Sequence, residues 1–259
     1  MLTLFFKALA SPNFKVNAIA VSLMKKNLGE IYDPLNGITD LQNKILITPK
    51  DPDTTFSDDP LRMLRAIRFS TTLNFKIDDK IKESIKEQSH RIKIISYERI
   101  TAEIIKILSC DKPSIGFYLL KETNLLKYVF PELDIMSGVD VINGHSHKDV
   151  FIHTLEVVDN AAKLTDKMDI RFAALVHDIA KPTTRRVDKK KGYTFHGHDA
   201  VGEKILDKVI HRMKLSNNLG AFLKKMTLLH LRPIALAKKG VTDTAIRRLM
   251  VAAGDDIDD

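Results

Sequence analysis

The spacing of apolar residues changes near residue 50, and this change sets the fold class. Before it, short apolar runs at 18–23, 30–33 and 44–48 predict strands, and Asp33-Pro34-Leu35-Asn36-Gly37 predicts a turn. Three strands are too few to close a sheet, so this region is expected to be part of a larger unit. After residue 50 nearly every window has the period of an α-helix. We therefore predict a mainly α chain that begins with a piece of an α/β unit.

A second, less distinct domain boundary is predicted between Pro131 and Gly144, where proline and glycine interrupt the helical period. The two breaks predict three domains, at residues 1–50, 51–135 and 136–259. The predicted helices cover residues 59–72, 78–89, 97–110, 114–121, 149–164, 169–180, 199–213, 217–230 and 242–253.

Composition limits the partners and the compartment. The chain has 259 residues, 44% of them hydrophobic, which is enough for one large core or two modest ones. Its net charge of +8 favours a polyanionic partner such as nucleic acid. The single cysteine, Cys110, excludes an intrachain disulfide and fits a reducing compartment. No apolar run approaches the length of a membrane span or of a signal-peptide core, so we expect a cytoplasmic protein with no membrane partner.

The segment from residue 58 to residue 69 combines carboxylates with a helix start and a stripe of arginines. Asp59 is suited to cap the helix and Pro60 to occupy its first position. Arginine then recurs at every third position, at Arg62, Arg65 and Arg68. A carboxylate that accepts from an exocyclic amino group, beside a guanidinium that donates two bonds, suits the Watson–Crick edge of cytosine or adenine. The same pattern also fits an ordinary amphipathic helix with solvated arginines.

Histidines are the second notable group, and they follow the break. His153 falls in a predicted helix, and His177-Asp178 closes an apolar run; His196, His198 and His230 come later. Imidazole together with carboxylate suits a divalent metal ion, whereas one cysteine cannot build a thiolate zinc finger. Each histidine taken alone also fits a structural, hydrogen-bonded role. The predicted metal ligands are His153, His177, Asp178 and His196.

This histidine pattern resembles the HD superfamily of metal-dependent phosphohydrolases, whose ligands are an early His, a His-Asp pair and a later Asp. His153 and His177-Asp178 match the first two parts, and the later histidines stand where two-metal members carry extra ones. The later Asp has no clear match. The resemblance implies an HD domain over residues 136–259, incomplete at its carboxyl end, that either hydrolyses phosphoesters or persists as an RNA-binding body.

Four motifs in order resemble the class II CCA-adding tRNA nucleotidyltransferases and their poly(A) polymerase relatives. They are Asn17-Ala18-Ile19-Ala20, Asp33 to Leu41, Asp58-Asp59-Pro60-Leu61-Arg62, and Ser96 to Ile100 with Glu103. The resemblance implies the remnant of an α/β nucleotidyltransferase head (1–50), a helical neck that binds nucleotide and RNA (51–135), and a helical HD-type body. It also implies that Asp59 and Arg62 face the incoming base and accept CTP or ATP, with Asp58 and Arg65 beside them.

The chain also departs from that family. Ser11-Pro12-Asn13 replaces its Arg-Arg-Asp, and its Asp-x-Asp, which binds Mg²⁺ for nucleotide transfer, has no upstream counterpart. Asp51-Pro52-Asp53 has the right residues, but it predicts a proline-interrupted turn. We therefore expect an amino-terminally truncated and carboxy-terminally clipped piece, without catalytic residues for nucleotide addition.

The expected partners are tRNA, CTP and ATP. The basic run Lys189-Lys190-Lys191 is the predicted RNA contact, although such runs are also typical of solvated loops. Three functions stay open: a piece of a tRNA nucleotidyltransferase, an HD-type metal-dependent phosphohydrolase, and a non-catalytic RNA-binding scaffold. The quoted motifs are shared by enzymes that add CCA, CC, A or poly(A).

Overall fold

The structure is a computed structural model that describes residues 12–138, 141–142, 145–146, 149–188, 192–237 and 241–258. The chain divides into two compact units. The first comprises Met1–Cys110 and Ile115–Val129, and the second comprises Asp111–Ser114 and Phe130–Asp259. The boundary predicted near residue 50 lies inside the first unit, and the one predicted near residue 135 lies close to the division.

Helices dominate the first unit. They are α1 (Gly37–Gln42), α2 (Pro52–Asp58), α3 (Leu61–Leu73), α4 (Asp79–Gln88), α5 (Tyr97–Leu108), α6 (Pro113–Glu122, which starts in the second unit) and α7 (Leu126–Val129), with 3₁₀ turns at Lys15–Ala18, Lys25–Asn27 and Ser89–Ile94. Strand β1 (Ala20–Val21) pairs antiparallel with β2 (Ile31–Tyr32), and β3 (Ile45–Leu46) pairs parallel with β4 (Lys76–Ile77).

The second unit is also helical, with two short ribbons. Its helices are α8 (Pro131–Asp134), α9 (Val150–Leu164), α10 (Met168–Val176), α11 (Lys181–Thr184), α12 (His198–Met213), α13 (Asn217–Leu229), α14 (Arg232–Leu236) and α15 (Asp243–Ala253), followed by a 3₁₀ turn at Gly254–Asp256. Strands β5 (Val141–Ile142) and β6 (His145–Ser146) pair antiparallel, as do β7 (Arg186–Asp188) and β8 (Gly192–Thr194).

The prediction of a mainly α chain is confirmed, since 67% of the structure is helical. The three predicted strands do form, but each keeps only two residues and pairs with a single neighbour. None of the described helices combines the length and the apolar character needed to cross a membrane.

The turn predicted after Asp33 forms at Pro34-Leu35 and leads directly into a short helix, and a second short helix lies where the sequence predicted a turn at residues 51–53. Asp33 accepts hydrogen bonds from the backbone N–H groups of Gly37 (2.7 Å) and Ile38 (2.9 Å), and this starts α1. Gly37 is required there, because a Cβ would lie 2.4 Å from the Lys15 carbonyl oxygen. Asp51 caps α2 in the same way, with its Oδ1 accepting from the N–H groups of Asp53 and Thr54. The prediction of a turn at residues 51–53 is therefore wrong, because these residues cap and begin a helix.

Each unit has its own apolar core. In the first, α3 buries Met63, Leu64 and Ile67 completely. In the second, α10 buries Phe172, Leu175 and Val176 completely. In α3 these residues follow the helical period and leave Arg62 and Arg65 on the opposite face. The candidate sites lie at the ends of the helices that contribute to the two cores.

Candidate functional site

Asp59 occupies the break between α2 and α3 in the first unit. Its backbone is extended (φ −146°, ψ 99°), and its side chain is 26% exposed. Oδ1 accepts the backbone N–H of Leu61 at 3.1 Å, as expected for a helix cap. Oδ2 lies 3.5 Å from Nη2 of Arg99, at the start of α5. The carboxylate is thus held in place while part of it remains accessible; its neighbour Asp58 ends α2 and is exposed.

Two arginines of the stripe are also held by hydrogen bonds. Arg62, one helical turn after Asp59, is half-buried and donates from Nη1 to the carbonyl oxygen of Thr55 at 3.3 Å. Arg65 is half-buried and donates from Nη1 to Oδ1 of Asn13 at 3.3 Å. A side chain that is already oriented loses less conformational entropy when it binds a ligand.

Arg68, the third arginine, has a structural contact. Its Nε donates to Oε2 of Glu103 at 2.6 Å, and Nζ of Lys106 lies 2.9 Å from Oε1. Burial opposes ionisation of Glu103, but the hydrogen bonds from Lys106 and Arg68 outweigh it and hold the pKa of this carboxyl below its usual value. The ion pair ties α3 to α5 and thereby fixes the helix that carries Arg62 and Arg65.

Asp51 and Asp53 are both used in local structure. Asp51 caps α2, while Oδ1 of Asp53 accepts from the Ser84 hydroxyl at 2.5 Å and from Nε2 of Gln88 at 3.1 Å. These contacts tie α2 to α4. The pair therefore does not present two adjacent free carboxylates of the kind that bind catalytic metal ions.

In the second unit, four histidines surround one buried carboxylate, that of Asp178. The histidines come from separate places along the chain, namely His153 on α9, His177 after α10, His198 at the first residue of α12 and His230 after α13. Nε2 of His177 lies 3.0 Å from Oδ2, and Nε2 of His153 lies 3.8 Å from the same oxygen. Nε2 of His198 and His230 lie 3.3 Å and 3.7 Å from Oδ1.

Three of these imidazoles are oriented by backbone carbonyl groups. Nδ1 of His177, His198 and His230 lies 2.9, 2.7 and 2.7 Å from the carbonyl oxygens of Ala174, Phe195 and Thr227. A carbonyl oxygen only accepts, so each Nδ1 carries a hydrogen. When such a ring is neutral, Nε2 is its unprotonated nitrogen, and this nitrogen faces Asp178. This is the tautomer that a metal ligand needs, with the hydrogen bond that fixes a ligating ring.

Positive and polar neighbours keep Asp178 ionised. In their protonated form the surrounding rings donate to this carboxylate through Nε2–H. Burial disfavours the charge of Asp178, but such hydrogen bonds from His177, His198 and His230 outweigh burial and hold the pKa of this carboxyl far below its usual range. The hydrogen bond to Asp178 in turn raises the pKa of His198. Nζ of Lys181 lies 2.5 Å from Oδ2 and adds a positive charge.

The donor atoms form two groups that share Asp178. One contains His153, His177 and Asp178, the other contains Asp178, His198 and His230, and in each group the ligand atoms lie within 4.8 Å of one another. Unprotonated imidazole nitrogens with an ionised carboxylate are the donors that Zn²⁺, Mn²⁺ or Fe²⁺ accept, so this set fits a divalent ion. The set contains three of the four ligands predicted from the sequence.

The fourth predicted ligand, His196, requires a correction. It lies exposed in the turn before α12 and belongs to neither group. His198 and His230 take part instead, because the turn at Gly197 (φ +74°) places His198 as the buried first residue of the helix. The predicted RNA contact Lys189-Lys190-Lys191 lies outside the described residues.

Two protein families match this chain, one in its middle part and one in its carboxyl-terminal part. Residues 74–136 match the family described as "Probable RNA and SrmB-binding site of polymerase A", and residues 150–257 match the HD domain family. A tRNA nucleotidyltransferase complexed with a primer tRNA and an incoming ATP analog has a similar structure, with a TM-score of 0.66 and 18% identity over 98% of this chain and 67% of that one.

Two further structures are similar. A CCA-adding enzyme with CTP has a TM-score of 0.58 and 20% identity over 96% of this chain and 56% of that one. The Thermotoga maritima CCA-adding enzyme, complexed with tRNA, has a TM-score of 0.56 and 20% identity over 96% of this chain and 57% of that one.

The fold is therefore that of the tRNA nucleotidyltransferases, combined with an HD domain. The family matches identify a segment similar to the RNA-binding site of polymerase A and an HD domain, and the structural likeness shows the fold. The chain spans between 56% and 62% of the length of the first three solved structures it matches.

Proposed function

We propose that this chain is the nucleotide-selecting and RNA-binding part of a tRNA nucleotidyltransferase that adds CCA to tRNA 3′ ends from CTP and ATP. The observation that carries the proposal is the placement of Asp59 and Arg62 one helical turn apart, each held by a hydrogen bond to the backbone. Asp58 and Arg65 complete the proposed nucleotide site.

The chemistry of the bases explains the proposed selection. Cytosine and adenine each carry an exocyclic amino group, which donates hydrogen bonds, where uracil and guanine carry a carbonyl oxygen, which only accepts. The carboxylate of Asp59 accepts from the amino group and repels the carbonyl oxygen. Arg62 donates to the neighbouring acceptor atoms of the base. One Asp-Arg pair can therefore accept CTP and ATP and reject UTP and GTP.

The proposal assigns no nucleotide addition to this sequence on its own. Nucleotide transfer needs carboxylates that hold Mg²⁺ on the triphosphate, and the Asp-x-Asp pair of the first unit, Asp51 with Asp53, is used to cap and connect helices. We propose tRNA as the partner, the basic run Lys189-Lys190-Lys191 as an RNA contact of the second unit, and the cytoplasm as the compartment.

Calorimetric titration of the whole chain with each of the four nucleoside triphosphates tests this function. CTP and ATP should bind, and UTP and GTP should bind at least tenfold more weakly, since one lost or unpaired hydrogen bond costs about 1–3 kcal/mol. Asp59→Ala should abolish the preference, whereas Glu87→Gln, which removes an exposed carboxylate from α4, should retain it. Equal affinity for all four nucleotides would refute the proposed selection.

A second candidate function is supported by the histidine cluster. Two ligand groups that share one carboxylate, with three rings fixed in the ligating tautomer, suit an HD-type phosphohydrolase as well as a structural metal site. His153, His177, Asp178, His198 and His230 would hold the ion, which when bound supplies Lewis-acid activation of a phosphate ester. Lys181 would contribute a positive charge toward the phosphate.

Metal analysis of the purified chain separates these roles. We expect a stoichiometric divalent metal that is lost in Asp178→Asn, and retained in Asp199→Asn, a nearby carboxylate outside both ligand groups. Metal-dependent hydrolysis of bis(p-nitrophenyl) phosphate would establish the phosphohydrolase. Bound metal without hydrolysis would instead establish a structural site, and no bound metal would refute both.

A further inference from the structure

Two exposed lysines of the first unit contact the same tyrosine ring. Lys93, in the 3₁₀ turn Ser89–Ile94, has its Nζ 4.9 Å from the ring centre of Tyr128, and Lys127 has its Nζ 5.0 Å from the same point. Both lysines are exposed and Tyr128 is half-buried. The aromatic ring attracts both ammonium groups, which therefore lie no more than about 10 Å apart.

No described acidic side chain neutralises this pair. Within the described residues, neither Lys93 nor Lys127 forms an ion pair, and their polar side-chain contact is the shared ring. The turn that carries Lys93 also contains His90 and Arg91 but no acidic residue. Two like charges within about 10 Å of each other repel, and a bound polyanion would relieve this repulsion.

The lysine pair is connected to the nucleotide-selecting residues through the first turn of α5. The hydroxyl of Tyr97 donates to the carbonyl oxygen of Tyr128 at 3.2 Å. Two residues later on the same helical turn, Arg99 contacts Asp59. One helix start therefore touches both the proposed base-selecting carboxylate and the backbone of the residue whose ring holds the lysines.

We propose that Lys93, Lys127 and Tyr128 form an RNA phosphate-binding site beside the nucleotide site. This inference rests on the proposed function, which requires an RNA end to approach the selected nucleotide. Two ammonium groups on a fixed ring suit neighbouring phosphates of one strand, because each neutralises a charge without reading the base. The site lies within residues 74–136, the segment that matches the polymerase RNA-binding family, and it shares no residue with the basic run Lys189-Lys190-Lys191.

The test is the salt dependence of binding between the whole chain and a fluorescent tRNA transcript that lacks its 3′ CCA. Lys93→Gln/Lys127→Gln removes two phosphate contacts, so the slope of log K against log salt should fall by about 1.5. Between 50 and 200 mM salt, the affinity of the wild type should therefore fall by a factor about eight times larger than that of the variant. Lys76→Gln/Lys80→Gln removes two exposed charges from the same unit and is the matched control.

Tyr128 provides a second readout. Tyr128→Phe keeps the aromatic ring and should bind tRNA like the wild type, whereas Tyr128→Leu removes it and should weaken binding about threefold. Circular dichroism checks that each variant is folded.

The outcomes separate this site from the proposed function. If the wild type binds tRNA and the Lys93/Lys127 variant matches the Lys76/Lys80 control, the phosphate site is refuted and the nucleotidyltransferase proposal stands. If the wild type fails to bind tRNA at 50 mM salt, both are refuted. A reduced slope in the Lys93/Lys127 variant alone supports the site.

Discussion

The ion pair between Arg68 and Glu103 should control the stability of the helix that carries the nucleotide-selecting residues. The carboxylate is almost completely buried, at 5% side-chain exposure, and Arg68 is 18% exposed. Glu103→Gln preserves the shape but removes the charge that Arg68 needs. A hydrogen bond to a charged group contributes about 1.5–3 kcal/mol, and one between neutral groups about 1 kcal/mol less.

The second partner of Glu103 changes this magnitude little. Lys106 is 55% exposed, so solvent screens its contact with Glu103 and water can replace it. The remaining loss is that of the Arg68 contact together with the cost of leaving a guanidinium half-buried beside a neutral amide. We therefore expect Glu103→Gln to destabilise the contact between α3 and α5 by about 2 kcal/mol.

Hydrogen exchange detected by mass spectrometry measures the free energy of local opening of α3 itself. A local measurement is needed because a chain with two units need not unfold in one step. A loss of about 2 kcal/mol accelerates exchange of the α3 amides about 30-fold at pH 7. The control Glu83→Gln, on the exposed face of α4, should change exchange less than about twofold. Unchanged exchange of α3 in Glu103→Gln would refute the structural role of the pair.

The same pair predicts a pH dependence. The folded-state pKa of Glu103 is lowered, so the unfolded chain binds its proton at a higher pH than the folded chain does. The stabilisation is complete above the unfolded pKa, near 4.5, and is lost as the pH falls through the lower folded pKa. The difference between wild type and Glu103→Gln should thus be full at pH 6 to 7 and shrink in stronger acid, as checked by urea denaturation at each pH.

Two glycines provide further predictions. Gly116→Ala would place a Cβ 2.5 Å from Cγ2 of Ile107, so it should destabilise the first unit by about 1–3 kcal/mol, measured by urea denaturation. Gly202→Ala would place a Cβ 2.7 Å from Cγ2 of Thr227 and force α12 from α13, so it should displace His198 from His230 and weaken metal binding at least tenfold by calorimetry. Unchanged unfolding or unchanged metal affinity would contradict the respective prediction.

The long helices were predictable because their apolar residues repeat over several turns. The window 59–72 became α3 at Leu61–Leu73, and 217–230 became α13 at Asn217–Leu229. Helices α1 and α2 were missed because they have six and seven residues, too few for a repeat to show, and they depend on caps at Asp33 and Asp51.

The site was predictable in its residue types but not in all of its members. His153 and His177-Asp178 were chosen by spacing, and the structure brings them together. Between His196 and His198, the sequence offers two equivalent imidazoles separated by glycine. The left-handed turn at Gly197 decides which of the two enters the cluster. The backbone carbonyl group that orients each ring, such as that of Phe195 for His198, cannot be predicted from the order of residues.

The most direct test of the proposed function is the ratio of the dissociation constants for UTP and CTP, measured by calorimetry in the wild type and in Asp59→Asn. An amide can donate to the uracil carbonyl oxygen that a carboxylate repels, whereas a carboxylate can only accept. We predict that CTP binds at least tenfold more tightly than UTP in the wild type, and that Asp59→Asn reduces this ratio at least tenfold. An unchanged ratio in Asp59→Asn would contradict the assignment of Asp59 as the residue that selects the base.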